Sequence, residues 1–121
     1  MLRVLIVDDS ETDAQFMKAL LEKAGYQVTV AHALDQAMAV LRREPPQLIL
    51  MDVVLPGASG FQATRTLSKD PETHDIPIIL VSAKSQETDR VWGLRQGAKD
   101  YVRKPIDAVE LLAKVRNIVG G

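Results

Sequence analysis

The sequence predicts a doubly wound α/β fold, a parallel sheet with helices on both faces. Three observations predict it. Short apolar runs alternate with amphipathic stretches five times along the chain. The run Leu48-Ile49-Leu50-Met51-Asp52-Val53-Val54-Leu55 holds one carboxylate among seven apolar residues, the pattern of a strand buried on both faces. At 121 residues, the chain has the size of one ordinary domain with a single substantial core.

Each element follows from its own chemistry. Leu2 to Val7 reads as a buried strand, ended by Asp8-Asp9-Ser10-Glu11, which offers several helix caps. Ala14, Met17, Leu21 and Ala24 recur at helical spacing beside Phe16 and Leu20, and Gly25 stands where the helix should stop. Gln27 to Ala31 is a second strand. Leu34, Ala37, Met38 and Leu41 mark a second helix, halted by Pro45-Pro46. After the central strand, Pro56 to Gly60 reads as a loop, and Phe61 to Ser68 as a weakly periodic third helix. Asp70 to Asp75 is a polar connector before a strand over Ile76 to Val81. Val91, Leu94 and Ala98 mark the inner face of a fourth helix near Gly97. Tyr101-Val102-Arg103 is a brief strand, and Asp107 caps a last helix facing inward through Leu111, Leu112, Val115 and Ile118.

Five such units fit the flavodoxin-like strand order 2-1-3-4-5, with five helices and ligands held past the carboxyl ends of the strands. The chain shows no internal repeat, low-complexity segment or linker. It stops after the fifth helix at Gly120-Gly121, so one domain over 1–121 with no DNA-binding output domain is expected.

The totals exclude other classes. With 15 basic and 16 acidic side chains, the net charge of −1 creates no field for nucleic acid or anionic membrane. No apolar run reaches the roughly 18 residues of a membrane span, so no membrane insertion is expected. Asp8-Asp9 ends the apolar start too early for a signal peptide. The absence of cysteine rules out thiolate metal sites and suits a cytoplasmic location.

The polar residues carry the function. Asp8 and Asp9 end the first strand, Asp52 the third, Ser82 the fourth and Lys104 the fifth, so all five fall at the carboxyl edge of the sheet. Two like charges about 4 Å apart repel by roughly 4 kcal/mol at an effective dielectric near 20. A cation among the three acids relieves this, and oxygen ligands favour a hard ion such as Mg²⁺. Magnesium accepts phosphate oxygens, Lys104 adds positive charge, Ser82 adds a donor, and aspartate is a known phosphoryl acceptor. Asp52, central and backed by a rigid strand, is the candidate acceptor.

These motifs resemble those of response-regulator receiver domains, the CheY-like family of two-component signalling. The resemblance rests on Val7-Asp8-Asp9-Ser10, on Met51-Asp52 with Leu55-Pro56-Gly57 and Gly60, on Ser82-Ala83, and on Tyr101-Val102-Arg103-Lys104-Pro105. Phe61 to Arg65, and Gln86 to Asp89 with Trp92 to Ala98, further resemble the stand-alone receivers of type IV pilus twitching motility. The family implies a phosphoprotein in which Asp52 takes phosphoryl from a histidine kinase. Asp9, Asp52 and the backbone carbonyl of Val54 would ligate Mg²⁺, with Asp8 acting largely through water. Lys104 would contact the phosphoryl group, Ser82 would swing toward it, and Tyr101 would turn inward as an aromatic switch. The resemblance also implies a cis Lys104–Pro105 bond. Val54 and Lys84 fall where the family tunes phosphoryl lifetime.

Trp92 lies off the helical stripe. If exposed, it would join Arg95 and Tyr101 in a surface read by a downstream protein. His32 and His74 read as ordinary surface histidines, and Arg42-Arg43 as a solvated helix end. The expectation is therefore a monomeric phosphoacceptor that catalyses its own Mg²⁺-dependent phosphorylation and dephosphorylation without being an enzyme on other substrates. A phosphate sink and a phosphorylation-independent partner-binding receiver are the alternatives. A flavodoxin-like FMN carrier is disfavoured because Asp8-Asp9-Ser10-Glu11 would repel the FMN phosphate. A phosphatase with an aspartyl nucleophile would want a second Asp where Val54 stands.

Overall fold

The computed structural model, which describes residues 1–84 and 86–120, is built on five parallel strands. In chain order the elements are β1 (Arg3–Val7), α1 (Glu11–Lys23), β2 (Gln27–Ala31), α2 (Leu34–Arg43), β3 (Leu48–Asp52), β4 (Val54–Leu55), β5 (Ala58–Ser59), α3 (Gly60–Lys69), β6 (Ile78–Ser82), α4 (Glu87–Arg95), β7 (Asp100–Arg103) and α5 (Ala108–Val119). The main sheet runs β2-β1-β3-β6-β7, and β4 and β5 form a separate two-stranded ribbon. Counting only the main strands, this is the expected 2-1-3-4-5 order.

Alternation along the strands sorts the core into two layers. Val4, Ile6, Leu48, Leu50, Ile79, Val81 and Val102 pack with Ala14, Met17 and Leu21 of α1 and Leu111 and Val115 of α5. Leu5, Val7, Ile49, Met51, Ile78, Leu80 and Tyr101 pack with α2, α3 and the connection between α4 and β7 through Ala37, Leu41, Ala63, Leu67 and Ala98. The central strand, buried throughout from Leu48 to Asp52, is common to both. Register draws the strand ends level: Val7 pairs with Met51, Asp52 with Val81, and Ser82 with Arg103.

Several local expectations change. The eight-residue apolar run is not one strand. It ends at Asp52, bends at Val53, and Leu55 pairs antiparallel with Ala58 around a Pro56-Gly57 turn. Gly57 has φ +62, which suits a residue without a Cβ. The fourth helix does not turn Val91 inward. Its buried residue is Gly93, whose missing side chain lets the helix approach Leu80 and Tyr101, while Val91 is left exposed and Leu94 half-buried. In α1, Phe16 faces solvent, Ala24 is an exposed C-cap, and Tyr26 just beyond is buried. Gly120 ends α5 in a left-handed conformation; Gly121, the other half of the expected terminal pair, lies outside the described residues. Among the described residues, no helix is long and apolar enough to cross a membrane.

Candidate functional site

The same alternation that builds the core aims the site. Asp8 continues the parity of Val4 and Ile6, Asp52 that of Leu48 and Leu50, and Lys104 that of Val102, so all three arrive on the α1/α5 side. Ser82 continues the parity of Ile78 and Leu80 and shares the α4 side with Tyr101. One carboxyl edge therefore presents a charged half and a hydroxyl half.

In the charged half, Lys104 Nζ lies 2.9 Å from Asp52 Oδ2 and 2.9 Å from Asp8 Oδ2. It also lies 3.0 Å from Asp13 Oδ2. The Asp52 contact is a well-aligned hydrogen bond, and the other Asp52 oxygen accepts from the Val54 amide at 3.2 Å. Asp8 is buried. Its Oδ1 accepts from the Ser10 amide at 2.9 Å, but its Oδ2, although close to the ammonium, has no hydrogen bond of good geometry. Burial pushes the Asp8 carboxyl above the ordinary range, with Lys104 and the Ser10 amide pulling against it. Burial disfavours the Lys104 ammonium, yet its contacts with Asp52, Asp8 and Asp13 outweigh that and hold its pKa above the usual lysine value. The lysine expected to meet phosphate thus already neutralises two of the three acids.

In the hydroxyl half, Ser82 Oγ accepts from the Lys84 amide at 3.2 Å. Tyr101 is buried, and its hydroxyl donates to the Lys84 carbonyl at 2.7 Å. Burial raises the phenol pKa, an effect the nearby Ser82 hydroxyl offsets only in part. Tyr101 is therefore already inward, and its ring does not belong to the expected exposed surface with Trp92 and Arg95. The reason is the close approach of Gly93, which roofs the ring with helix backbone. Trp92 is 50% exposed, and Arg95 beside it is exposed too. The Lys104–Pro105 bond is cis.

Two residues escaped the sequence reading. Asp13 reaches Lys104 from the first turn of α1. His32, read as an ordinary surface histidine, places Nδ1 3.2 Å from the Asp8 carbonyl oxygen and Nε2 3.1 Å from Glu11 Oε2, tying the loop after β1 to the end of β2. A neighbouring Ser10-x-x-Asp13 pattern looks like simple capping, and a histidine contacting a backbone carbonyl leaves no trace in sequence. His74 is a surface histidine beside Asp75.

A cleft of about 380 Å³ opens over this edge, lined by Asp9, Asp52, Val54, Ser82, Lys84 and Lys104 among others. Carboxylate oxygens of Asp8, Asp9 and Asp52 lie within 4.8 Å of one another. Three converging carboxylates, that of Asp8 carrying a buried oxygen without a proper hydrogen bond, fit a divalent cation such as Mg²⁺. Asp9, which is exposed, stands at the mouth, and Val54 also lines the cleft.

Comparison with known proteins gives one answer. The model of the response regulator receiver domain matches residues 4–116. The chain is 51% identical to protein PilH of Pseudomonas aeruginosa over 121 residues, covering all of both. It is 41% identical over 116 residues to response regulator PleD of Caulobacter vibrioides, spanning 26% of that longer protein. A putative response regulator from Chloroflexus aurantiacus superimposes with a TM-score of 0.94 at 32% identity, covering 99% of this chain and 98% of the other. The chemotaxis response regulator CheY4 of Vibrio cholerae gives 0.90 at 26% identity, covering 98% of each. Matched from its first strand into its last helix, the chain belongs to the response regulator receiver domain family of two-component signalling.

Proposed function

We propose that this chain is a phosphorylation-driven switch in which Asp52 accepts phosphoryl from a histidine kinase, and that its output serves twitching or a related form of motility. The observation that carries this is the Asp52 carboxylate, fixed by the Val54 amide and the Lys104 ammonium beside two further acids. A carboxylate oxygen of Asp52 attacks phosphorus, the phosphorus–nitrogen bond of the donor phosphohistidine breaks, and imidazole leaves with its electron pair. Hydrolysis returns Asp52 to a carboxylate and releases phosphate. Asp8, Asp9, Asp52 and the Val54 carbonyl would hold Mg²⁺, which when bound supplies positive charge to the phosphoryl oxygens. Lys104 would follow its Asp52 contact onto a phosphoryl oxygen, and Ser82 would donate to another.

Ser82 reaching toward phosphoryl would give up the Lys84 amide. Lys84 also accepts the Tyr101 hydroxyl, so the change would pass along the Ser82–Lys84–Tyr101 chain to Gly93 and α4. Trp92 and Arg95 on α4 would then present the altered surface to a downstream protein. The full-length likeness to PilH supports the motility assignment, and the cysteine-free composition supports a cytoplasmic location. Incubation with acetyl phosphate and Mg²⁺, followed by intact mass measurement, is expected to show one added phosphoryl group on the native chain and none on Asp52→Asn. An adduct that survives Asp52→Asn overturns the assignment. Restoration of surface spreading in a twitching strain lacking its own receiver tests the motility role.

A further inference from the structure

We propose that Asp13 is a positioning residue for Lys104, the fixed seat that lets the ammonium yield Asp8 and Asp52 to a metal without leaving the site. The inference rests on the Mg²⁺-dependent reading of the site given above. Asp13 is three residues past Ser10, whose hydroxyl accepts the Asp13 amide and caps α1. In a reciprocal capping box, the acid at this position turns back to the amide of the cap residue. Here the Ser10 amide is already taken by Asp8 Oδ1, and the Asp13 carboxylate goes to Lys104 instead, at 3.0 Å. The start of a helix favours its negative charge.

The ammonium has three protons and three carboxylate oxygens within 3.0 Å. Two of those carboxylates, Asp8 and Asp52, belong to the converging metal-ligating set, and Asp13 does not. A cation that claims Asp8 and Asp52 therefore competes with Lys104 for both, but never for Asp13. With Asp13 in place, the displaced ammonium keeps an anionic partner at the edge of the cleft. Without it, every anionic partner of the lysine is also a partner of the metal, so the two cations compete for all of them.

The test is a cycle of four proteins, namely the native chain, Asp13→Asn, Lys104→Met and the double variant, each titrated with MgCl₂ by calorimetry. Removing a nearby negative charge weakens cation binding through space in either background, so the signal is the difference between backgrounds. In the native background, Asp13→Asn is expected to raise the Mg²⁺ dissociation constant about fivefold. In the Lys104→Met background, the same substitution should raise it no more than about twofold. Equal fold-changes in the two backgrounds overturn the role of Asp13. An absence of Mg²⁺ binding by the native chain instead overturns the site reading beneath it. Asp13→Ala repeats the cycle without an amide able to make contacts of its own, and thermal unfolding confirms that each variant is folded.

Discussion

At the scale of single residues, burial and charge oppose each other at Asp8. Its carboxyl is pushed up chiefly by burial, so the folded protein binds a proton there more readily than the unfolded chain does. A group with a raised folded pKa favours folding below its unfolded pKa and loses that contribution as pH rises through the folded value. Asp8→Asn, which carries no charge to bury, is therefore expected to be more stable than the native chain at pH 7 in EDTA. The gain should shrink as pH falls toward the ordinary carboxyl value of 3.8, and urea unfolding across that range checks it. Asp8, Asp9, Asp52, Ser82 and Lys104 could be read from the chain because acids, hydroxyl and lysine at strand ends are chemically conspicuous. Asp13 could not, because its job depends on where the Ser10 amide goes, and that is a property of the folded loop.

At the scale of elements, the close seat of α4 on the sheet is made by a missing side chain. A Cβ on Gly93 would lie 2.7 Å from Leu80 Cδ1 and 3.2 Å from Tyr101 Cδ2. Alanine ordinarily stabilises a helix by up to about 1 kcal/mol over glycine. Overpacking of this kind costs roughly 1–3 kcal/mol and offsets it. Gly93→Ala is expected to lower stability by about 1 kcal/mol and to change the near-ultraviolet dichroism of Tyr101, as urea titration and spectroscopy would show. Periodicity located all five main strands and all five helices, since buried stripes and their breaks are local. It misplaced the inner face of α4, where a glycine rather than an apolar side chain meets the sheet. It also ran the central strand past Asp52, because Val53, Val54 and Leu55 are apolar for reasons of the ribbon and the core edge rather than the main ladder.

At the scale of the whole molecule, the carboxylates of Asp8, Asp9, Asp13 and Asp52 gather with the Lys104 ammonium at the carboxyl edge of the sheet. A ligand that binds only the folded state adds stability that grows with its concentration, about 2.7 kcal/mol at one hundred times the dissociation constant. Mg²⁺ is therefore expected to raise the thermal midpoint of the native chain. Asp9→Asn, which removes the proposed ligand at the mouth of the cleft, should erase most of that rise, with EDTA as the reference. The layered order of the sheet was legible because alternating units allow few topologies. Which layer each site residue would join was legible only in part, since it requires knowing where each strand ends.

The seat of α4 has a practical corollary. The chain contains a single tryptophan, and it adjoins the glycine that rests on the Tyr101 ring, with its indole half in water. A shift of that ring is expected to alter the exposure of the indole and with it the colour of its fluorescence. The proposed switching is then expected to be visible in a stopped-flow cell, in real time, on the unlabelled protein.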